Sequence, residues 1–143
     1  MKDEYKVGNL RVKPAPGWLD VTNLVDAEAP PFTLAKSDGV GVLQVSVASH
    51  YAGKVPGVAV GDLRNLLADF ALSRELGGGA DLVIREHPLL MCAQSYHAGT
   101  QFTRVWYCSN GRDVALLTYV CERGVQQAEL PDCEGMVANL EFE

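Results

Sequence analysis

Hydrophobic, β-branched and aromatic residues form two runs in the last third of the chain, at residues 101–109 and 112–121. An Asn-Gly pair at positions 110 and 111 separates them. Such a pair between two runs of this kind is the strongest short-range signal for a β-hairpin with a tight turn. If the pair alone forms the loop, Trp106 lies opposite Ala115. The pattern therefore predicts a long antiparallel hairpin.

Both faces of this predicted hairpin are apolar. One face would carry Phe102, Trp106, Ala115, Leu117 and Tyr119. The other face would carry Val105, Tyr107, Val114, Leu116 and Val120. A strand with one side in water alternates apolar and polar residues, so two apolar faces indicate a sheet that is covered on both sides.

The rest of the chain contains shorter strand patterns and two helical ones. Strands are predicted over residues 18–22, 32–35, 40–49, 80–86 and 89–97. A helix is predicted over residues 63–76, with Asp62 as its N-cap. Its buried stripe would comprise Leu63, Leu66, Leu67, Phe70 and Ala71. A closing helix is predicted over residues 130–140, with a buried side made of Met136, Val137 and Leu140.

The order of these elements is strands, helix, four strands and helix, which predicts an α+β fold with an antiparallel β-sheet. The chain has 143 residues and no internal repeat or linker, so we expect one domain over residues 1–143. Residues 1–15 carry no periodic pattern and are predicted to be an irregular lead-in.

This layout resembles a known superfamily. Gly17-Trp18 precedes a strand with an internal serine (VLQVSVA), and a long helix, an aromatic-rich strand (RVWYC), a threonine-containing strand (LLTYVC) and a closing helix follow. Over about residues 16–142 it is similar to the Mog/PsbP-like superfamily. The resemblance implies an α/β/α sandwich, in which helices flank both faces of the antiparallel β-sheet.

The resemblance also implies binding rather than catalysis. Members of the superfamily include a Ran-GTPase partner, an extrinsic photosystem II subunit and bacterial chaperones for type VI secretion effectors. The chain lacks the long acidic signature expected of a Ran binder, and its start lacks the leader expected of a thylakoid protein. A bacterial cytoplasmic relative is therefore the setting that the resemblance favours.

Charge changes the picture of possible partners. The formal net charge is −6, and the region from residue 122 onward holds six acidic residues against one basic residue. The acidic residues are Glu122, Glu129, Asp132, Glu134, Glu141 and Glu143. This balance argues against nucleic acid and fits a partner protein with a basic surface, contacted through Glu129, Asp132 and Glu134. The alternative is a solvated acidic face that maintains solubility.

The start of the chain has no apolar segment typical of a signal peptide, and no run approaches the roughly 18 apolar residues that span a membrane. We therefore expect a cytoplasmic protein with no membrane partner. Cys92, Cys108, Cys121 and Cys133 form no C-x-x-C pair, which argues against zinc. We expect no metal or other cofactor. Buried free thiols are favoured over a disulfide between the last two cysteines.

Two places could recognise a ligand or partner. Arg104 lies on an apolar face of the predicted hairpin, opposite Leu117. It could anchor an anionic group in a groove, or it could stack on an aromatic ring and pair with an acid from a helix. The second place is the segment after residue 49, where His50, Tyr51 and Lys54 mix an aromatic ring with cations. An ordinary connection between a strand and a helix is the alternative there.

Three hypotheses of function remain open. The first is a non-catalytic cytoplasmic protein-binding module, a chaperone-like or immunity-like partner of another bacterial protein, with a role in secretion as one setting. The second is a small-molecule-binding protein or a cryptic enzyme with a pocket near Arg104 and Cys108. The third is a subunit that forms a homodimer through a sheet edge or a helix.

Overall fold

The computed structural model describes residues 3–48 and 57–143. Within that part of the chain the strands are β1 (Tyr5–Val7), β2 (Leu10–Val12), β3 (Trp18–Asp20), β4 (Phe32–Lys36), β5 (Gly41–Ala48), β6 (Gly79–Arg85), β7 (Leu90–Ala98), β8 (Gln101–Ser109), β9 (Val114–Glu122) and β10 (Glu141–Phe142). The two α-helices are α1 (Val60–Ser73) and α2 (Leu130–Ala138).

The strands form two antiparallel sheets. The larger has seven strands in the order β3-β4-β5-β9-β8-β7-β6, and the smaller has three in the order β1-β2-β10. The predicted antiparallel α+β organisation is therefore confirmed, with two helices in the described residues. None of the helices in these residues is long and apolar enough to cross a membrane.

The prediction of an irregular lead-in over residues 1–15 was wrong. β1 and β2 form a hairpin there, and β2 also pairs with β10 at the opposite end of the chain. Leu10 and Val12 on β2 are completely buried. Strands of three residues leave little periodic signal in the sequence, and the second pairing of β2 comes from residues about 130 positions away.

The hairpin of β8 and β9 forms as predicted, but its register differs by two residues. Trp106 lies opposite Leu117, not Ala115, and residues 110–113 form the loop. The amide oxygen of Asn110 accepts hydrogen bonds from the backbone N–H groups of Arg112 and Asp113, which stabilises the longer loop. Side chains alternate along a strand, so a shift of two residues keeps every side chain on its predicted face.

Alternate residues of β8 belong to two different hydrophobic clusters. Trp106 packs in a cluster that includes Met136 of α2. Its neighbour Val105 packs in the other cluster, which includes Leu67 of α1. Residues of α2 and of α1 therefore share clusters with alternating positions of β8.

The structure corrects the predicted start of α1. The helix begins at Val60, so Ala59 is the N-cap residue, and Asp62 lies in the first turn. The carboxylate of Asp62 accepts a hydrogen bond of 2.9 Å from the backbone N–H of Ala59. An aspartate in the first turn supports a helix start in much the same way as one at the N-cap. The predicted buried stripe is confirmed in part: Leu63, Leu67 and Ala71 are buried, whereas Leu66 and Phe70 are half-buried against the same cluster.

Candidate functional site

Arg104 lies on β8, near the middle of the seven-stranded sheet, and only 4% of its surface is exposed. It shares a strand face with Trp106, as predicted, but lies opposite Tyr119 rather than Leu117 because of the register shift. A guanidinium group at such a position has lost its water and requires compensating acceptors.

The acceptors come from three different elements. Arg104 Nε donates to Glu134 Oε1 of α2 at 2.9 Å. Its Nη1 donates to the hydroxyl of Ser95 on β7 and to the backbone oxygen of Asp81 on β6, both at 2.9 Å. The guanidinium carbon lies 5.7 Å from the ring centroid of Trp106. The alternative of a stacked arginine paired with a helix acid therefore describes its geometry.

A bulge in β6 supplies one of these acceptors. The pairing of β6 with β7 shifts register between Ala80 and Val83, and Asp81 has a positive φ of 54°. A bulge re-aims local groups out of the regular ladder, and here the backbone oxygen of Asp81 meets Arg104. This hydrogen bond links the edge strand β6 to β8 near the middle of the sheet.

The two carboxylate oxygens of Glu134 differ in their hydrogen bonds. Its Oε1 accepts from Arg104 and also from Trp106 Nε1, at 3.2 Å. Its Oε2 accepts no hydrogen bond from the residues that the structure describes. The side chain is 40% exposed, and the hydrogen bonds to Oε1 fix the orientation of its carboxylate.

A cavity opens beside Glu134. It has a volume of about 120 Å³ and lies between α2, the start of β7 and the segment after β6. Leu89, Met91, Cys108 and Val137 provide apolar lining, and Arg85 and His87 lie at its polar side. Arg104 does not line the cavity but contacts Glu134, which does.

The Cys108 thiol in this cavity wall is held in its neutral form. Burial, followed by the negative charge of Glu134, raises the pKa of Cys108 to about 12. Burial likewise raises the pKa of Cys133. A thiol must lose its proton to act as a nucleophile, so neither cysteine is activated. All four cysteines are free and buried, as favoured from the sequence.

Glu129 does not belong to an exposed acidic surface, contrary to the prediction. The residue is buried, and its carboxylate accepts from the backbone N–H groups of Val40 and Gly41 at 3.1 and 3.0 Å. It also accepts from the hydroxyl of Tyr119 at 2.9 Å. Burial, with the hydrogen bonds to this carboxylate and to Cys121, raises the pKa of that hydroxyl. Glu129 therefore links the start of α2 to β5 and β9.

Asp132 is likewise directed inward. Its Oδ2 accepts a hydrogen bond of 3.0 Å from the indole N–H of Trp18 on β3. Together with Glu129 and Glu134, it completes a set of three acids that link α2 to three different parts of the large sheet. We call this set the α2 carboxylates. The sequence showed their charge but not the donors that they meet after folding.

The other predicted binding residues, His50, Tyr51 and Lys54, lie outside the described residues. Within the described residues, 3–48 and 57–143, no group of three or more His, Cys, Asp or Glu side chains is placed to hold a metal ion.

Sequence reasoning missed the cavity residues Arg85 and His87. The sequence did contain a signal for Arg85. Alternation along the predicted strand places it on the same face as Val83, which packs against the hydrophobic cluster that includes Met136 of α2. A cation at the end of an inward-facing set of positions indicates a site at the rim of the core. Ser95 and Asp81 gave no such signal, since their role depends on Arg104 and on the bulge.

No protein-family model matches the chain, and no curated protein matches it. Solved structures do. A solution structure of cyanobacterial PsbP (CyanoP) from Synechocystis sp. PCC 6803 has a TM-score of 0.65 at 11% identity, covering 98% of this chain and 91% of that one. A crystal structure from Bacteroides thetaiotaomicron VPI-5482 has a TM-score of 0.61 at 15% identity. It covers 99% of this chain, which spans about half (48%) of that one.

Proposed function

We propose that this chain, which has a PsbP-like fold, is a non-catalytic protein-binding module. In this proposal it acts as a chaperone-like or immunity-like partner of another bacterial protein, with secretion as one setting, and α1 and α2 cover opposite faces of an α/β/α sandwich. The observation that carries the proposal is the outer edge of the seven-stranded sheet at β6.

β6 is the most open strand of the large sheet. Six of its seven residues are exposed, and Leu82 and Ile84 leave 41% and 43% of their surfaces in solvent. One side of the strand pairs with β7, while the other pairs with no strand of residues 3–48 and 57–143. Such an edge offers backbone hydrogen bonds to an added strand and apolar side chains for selectivity.

The charge of the chain supports a basic occupant for this edge. The net charge is −6, and two exposed acids, Asp81 and Glu86, lie within β6 and directly after it, against one exposed cation, Arg85. Opposite fields between two proteins raise the rate of productive encounter. The proposed occupant is therefore an extended, basic and partly apolar segment of another protein. His50, Tyr51 and Lys54 remain a second proposed contact region.

The cysteines support the non-catalytic and cytoplasmic parts of the proposal. Four free thiols in a chain of this size fit a reducing compartment better than an oxidising one. The raised pKa values of Cys108 and Cys133 oppose thiol chemistry. The α2 carboxylates are occupied in structural hydrogen bonds rather than arranged as an acid–base pair.

The test is capture of a stoichiometric partner from native lysate with three tagged proteins. The unchanged chain and the Leu24→Lys control should retain the same partner, and Ile84→Lys should lose it. Leu24 is a matched control because it is exposed and apolar and follows β3, the opposite edge strand. A partner retained equally by all three proteins would rule out the β6 edge.

The second candidate function, small-molecule binding or cryptic catalysis, is favoured by the cavity beside Cys108. Its thiol-enzyme version predicts fast alkylation of Cys108 in the native protein. We expect instead no labelling of this cysteine until the protein unfolds, measured by peptide mass spectrometry after a timed pulse of iodoacetamide.

A homodimer through β6 is the third candidate. It would appear as a dimer in light scattering that Ile84→Lys converts to a monomer.

A further inference from the structure

We propose that the cavity between α2, β7 and the segment after β6 binds a small zwitterion, an α-amino acid with an apolar side chain. The inference does not depend on the proposed protein partner, since that partner would use the outer edge of β6. It rests on the way that this cavity combines an apolar floor with an unpaired arginine and a carboxylate that has one oxygen without a hydrogen bond in the described residues.

The floor of the cavity suits an apolar side chain. Leu89, Met91, Val137 and Ala138 line it, together with the neutral Cys108 thiol. Met91 and Cys108 face each other across the β7–β8 pair and are both buried, so this part of the floor belongs to the core. An apolar group that enters the cavity leaves water for a surface of this kind, which is the main source of affinity in small-molecule sites.

The polar side of the cavity suits a carboxylate. Arg85 and His87 both line it, and neither makes an ion pair or hydrogen bond with another side chain in residues 3–48 and 57–143. Because Arg104 and Glu134 already form an ion pair, Arg85 is left as the uncompensated charge of the lining. A guanidinium group with free donors binds a carboxylate with two parallel hydrogen bonds.

Glu134 provides the complementary acceptor for an ammonium group. Arg104 and Trp106 hold its Oε1 at 2.9 and 3.2 Å, so the carboxylate is oriented before a ligand arrives. The residue lines the cavity, and its Oε2 accepts no hydrogen bond from the residues that the structure describes. An acceptor fixed in this way loses little conformational freedom on binding, which favours affinity. The site thus offers one anchor for each end of a zwitterion.

The first experiment is titration of the ¹⁵N-labelled full chain with L-leucine, followed by amide chemical shifts. Two probes of similar shape carry a single charge each: 4-methylpentanoate lacks the amine, and 3-methylbutylamine lacks the carboxylate. We expect saturable shifts for residues at the cavity. Leucine should bind about tenfold more tightly than either probe, because each charged hydrogen bond contributes roughly that factor.

Variants assign the effect to the cavity. Arg85→Gln should weaken leucine binding by about tenfold, while Arg123→Gln, at an exposed arginine outside the cavity, should leave it unchanged. Ala138→Phe should abolish binding by filling the cavity, and Ala138 is exposed at the end of α2, so folding should survive.

Other results would overturn the inference. If leucine causes no saturable shift, the cavity is not an amino-acid site. If 4-methylpentanoate binds as tightly as leucine, the cavity does not recognise the ammonium group. Ile84→Lys separates this inference from the proposed function: the variant should still bind leucine, whether or not it retains a partner protein.

Discussion

The two helices are attached to the large sheet by different interactions. α1 has 14 residues and packs through one apolar stripe, with Leu63, Leu67 and Ala71 buried. α2 has nine residues, and its short apolar side is supplemented by the α2 carboxylates, which accept hydrogen bonds from three parts of the sheet. A helix as short as α2 has little stability of its own, so tertiary contacts determine its position.

This difference teaches how acidic residues are to be interpreted in this fold. Acids near a helix N-terminus are favoured by the helix dipole, and at the start of α2 two such acids, Glu129 and Asp132, also reach donors outside the helix. By contrast, Glu141 and Glu143 at the end of the chain form exposed ion pairs with Arg11, Lys13 and Lys6. The C-terminal acidity therefore divides into internal hydrogen bonds and surface pairs, two classes with different energies.

The largest expected effect concerns the apolar attachment of α1. Leu67→Ala should lower the free energy of unfolding by about 3 kcal/mol, because it leaves a cavity in the packed cluster. Leu72→Ala, at an 80% exposed position of the same helix, should change it by less than about 0.5 kcal/mol. Urea denaturation measures both. Equal effects would contradict the one-sided packing of α1.

The second effect concerns the most buried of the α2 carboxylates. Glu129→Ala should lower the free energy of unfolding by about 2 to 3 kcal/mol, because the N–H of Gly41 and the hydroxyl of Tyr119 lose their acceptor. Glu129→Gln keeps one oxygen as an acceptor and should therefore lower the free energy of unfolding by less than Glu129→Ala. Glu28→Ala, at an exposed acid, is the control. If Glu129→Ala is as stable as Glu28→Ala, the carboxylate of Glu129 does not make the buried hydrogen bonds described above.

The third effect is smaller because Glu134 is partly in solvent. Glu134→Gln should lower the free energy of unfolding by about 1 kcal/mol, since the amide oxygen still accepts from Arg104 but the charge is lost. Fluorescence of Trp106, whose indole N–H donates to Glu134, should shift in the native state. Glu122→Gln, at an exposed acid on β9, should change neither quantity. An unchanged spectrum would contradict the shared hydrogen bond.

The smallest effect belongs to the surface pairs and has a defined pH dependence. The hydrogen bond from Lys6 to Glu143 lowers the pKa of Glu143 below its ordinary value of 4.5. A carboxyl group with a lowered folded pKa stabilises the protein above the unfolded pKa, and this contribution disappears as the pH falls through the folded pKa.

Glu143→Gln should therefore be slightly less stable than the unchanged chain at pH 7 and equally stable near pH 2. The difference should also shrink in 1 M salt, since exposed pairs are screened. Thermal unfolding at the two pH values checks the sign. A difference that grows as the pH falls would show that Lys6 does not lower this pKa.

Much of the fold was predictable because it depends on local periodicity. The spacing of apolar residues assigned the buried stripe of α1 and both faces of the β8–β9 hairpin, and it did so even though the register was off by two residues. The environment of Arg104 was predictable in kind, as a cation on an apolar face that needs an acid and an aromatic ring. The sequence could not indicate that the acid is Glu134.

The sequence by itself determined which residues of each element face the core, because the periods of a helix and a strand are properties of the local backbone. The tertiary structure alone decided which distant elements meet. It joined β10 to β2, directed the backbone oxygen of Asp81 at Arg104, and turned the α2 carboxylates inward. These outcomes depend on donors and acceptors brought together from far along the chain, and no local pattern encodes the identity of such partners.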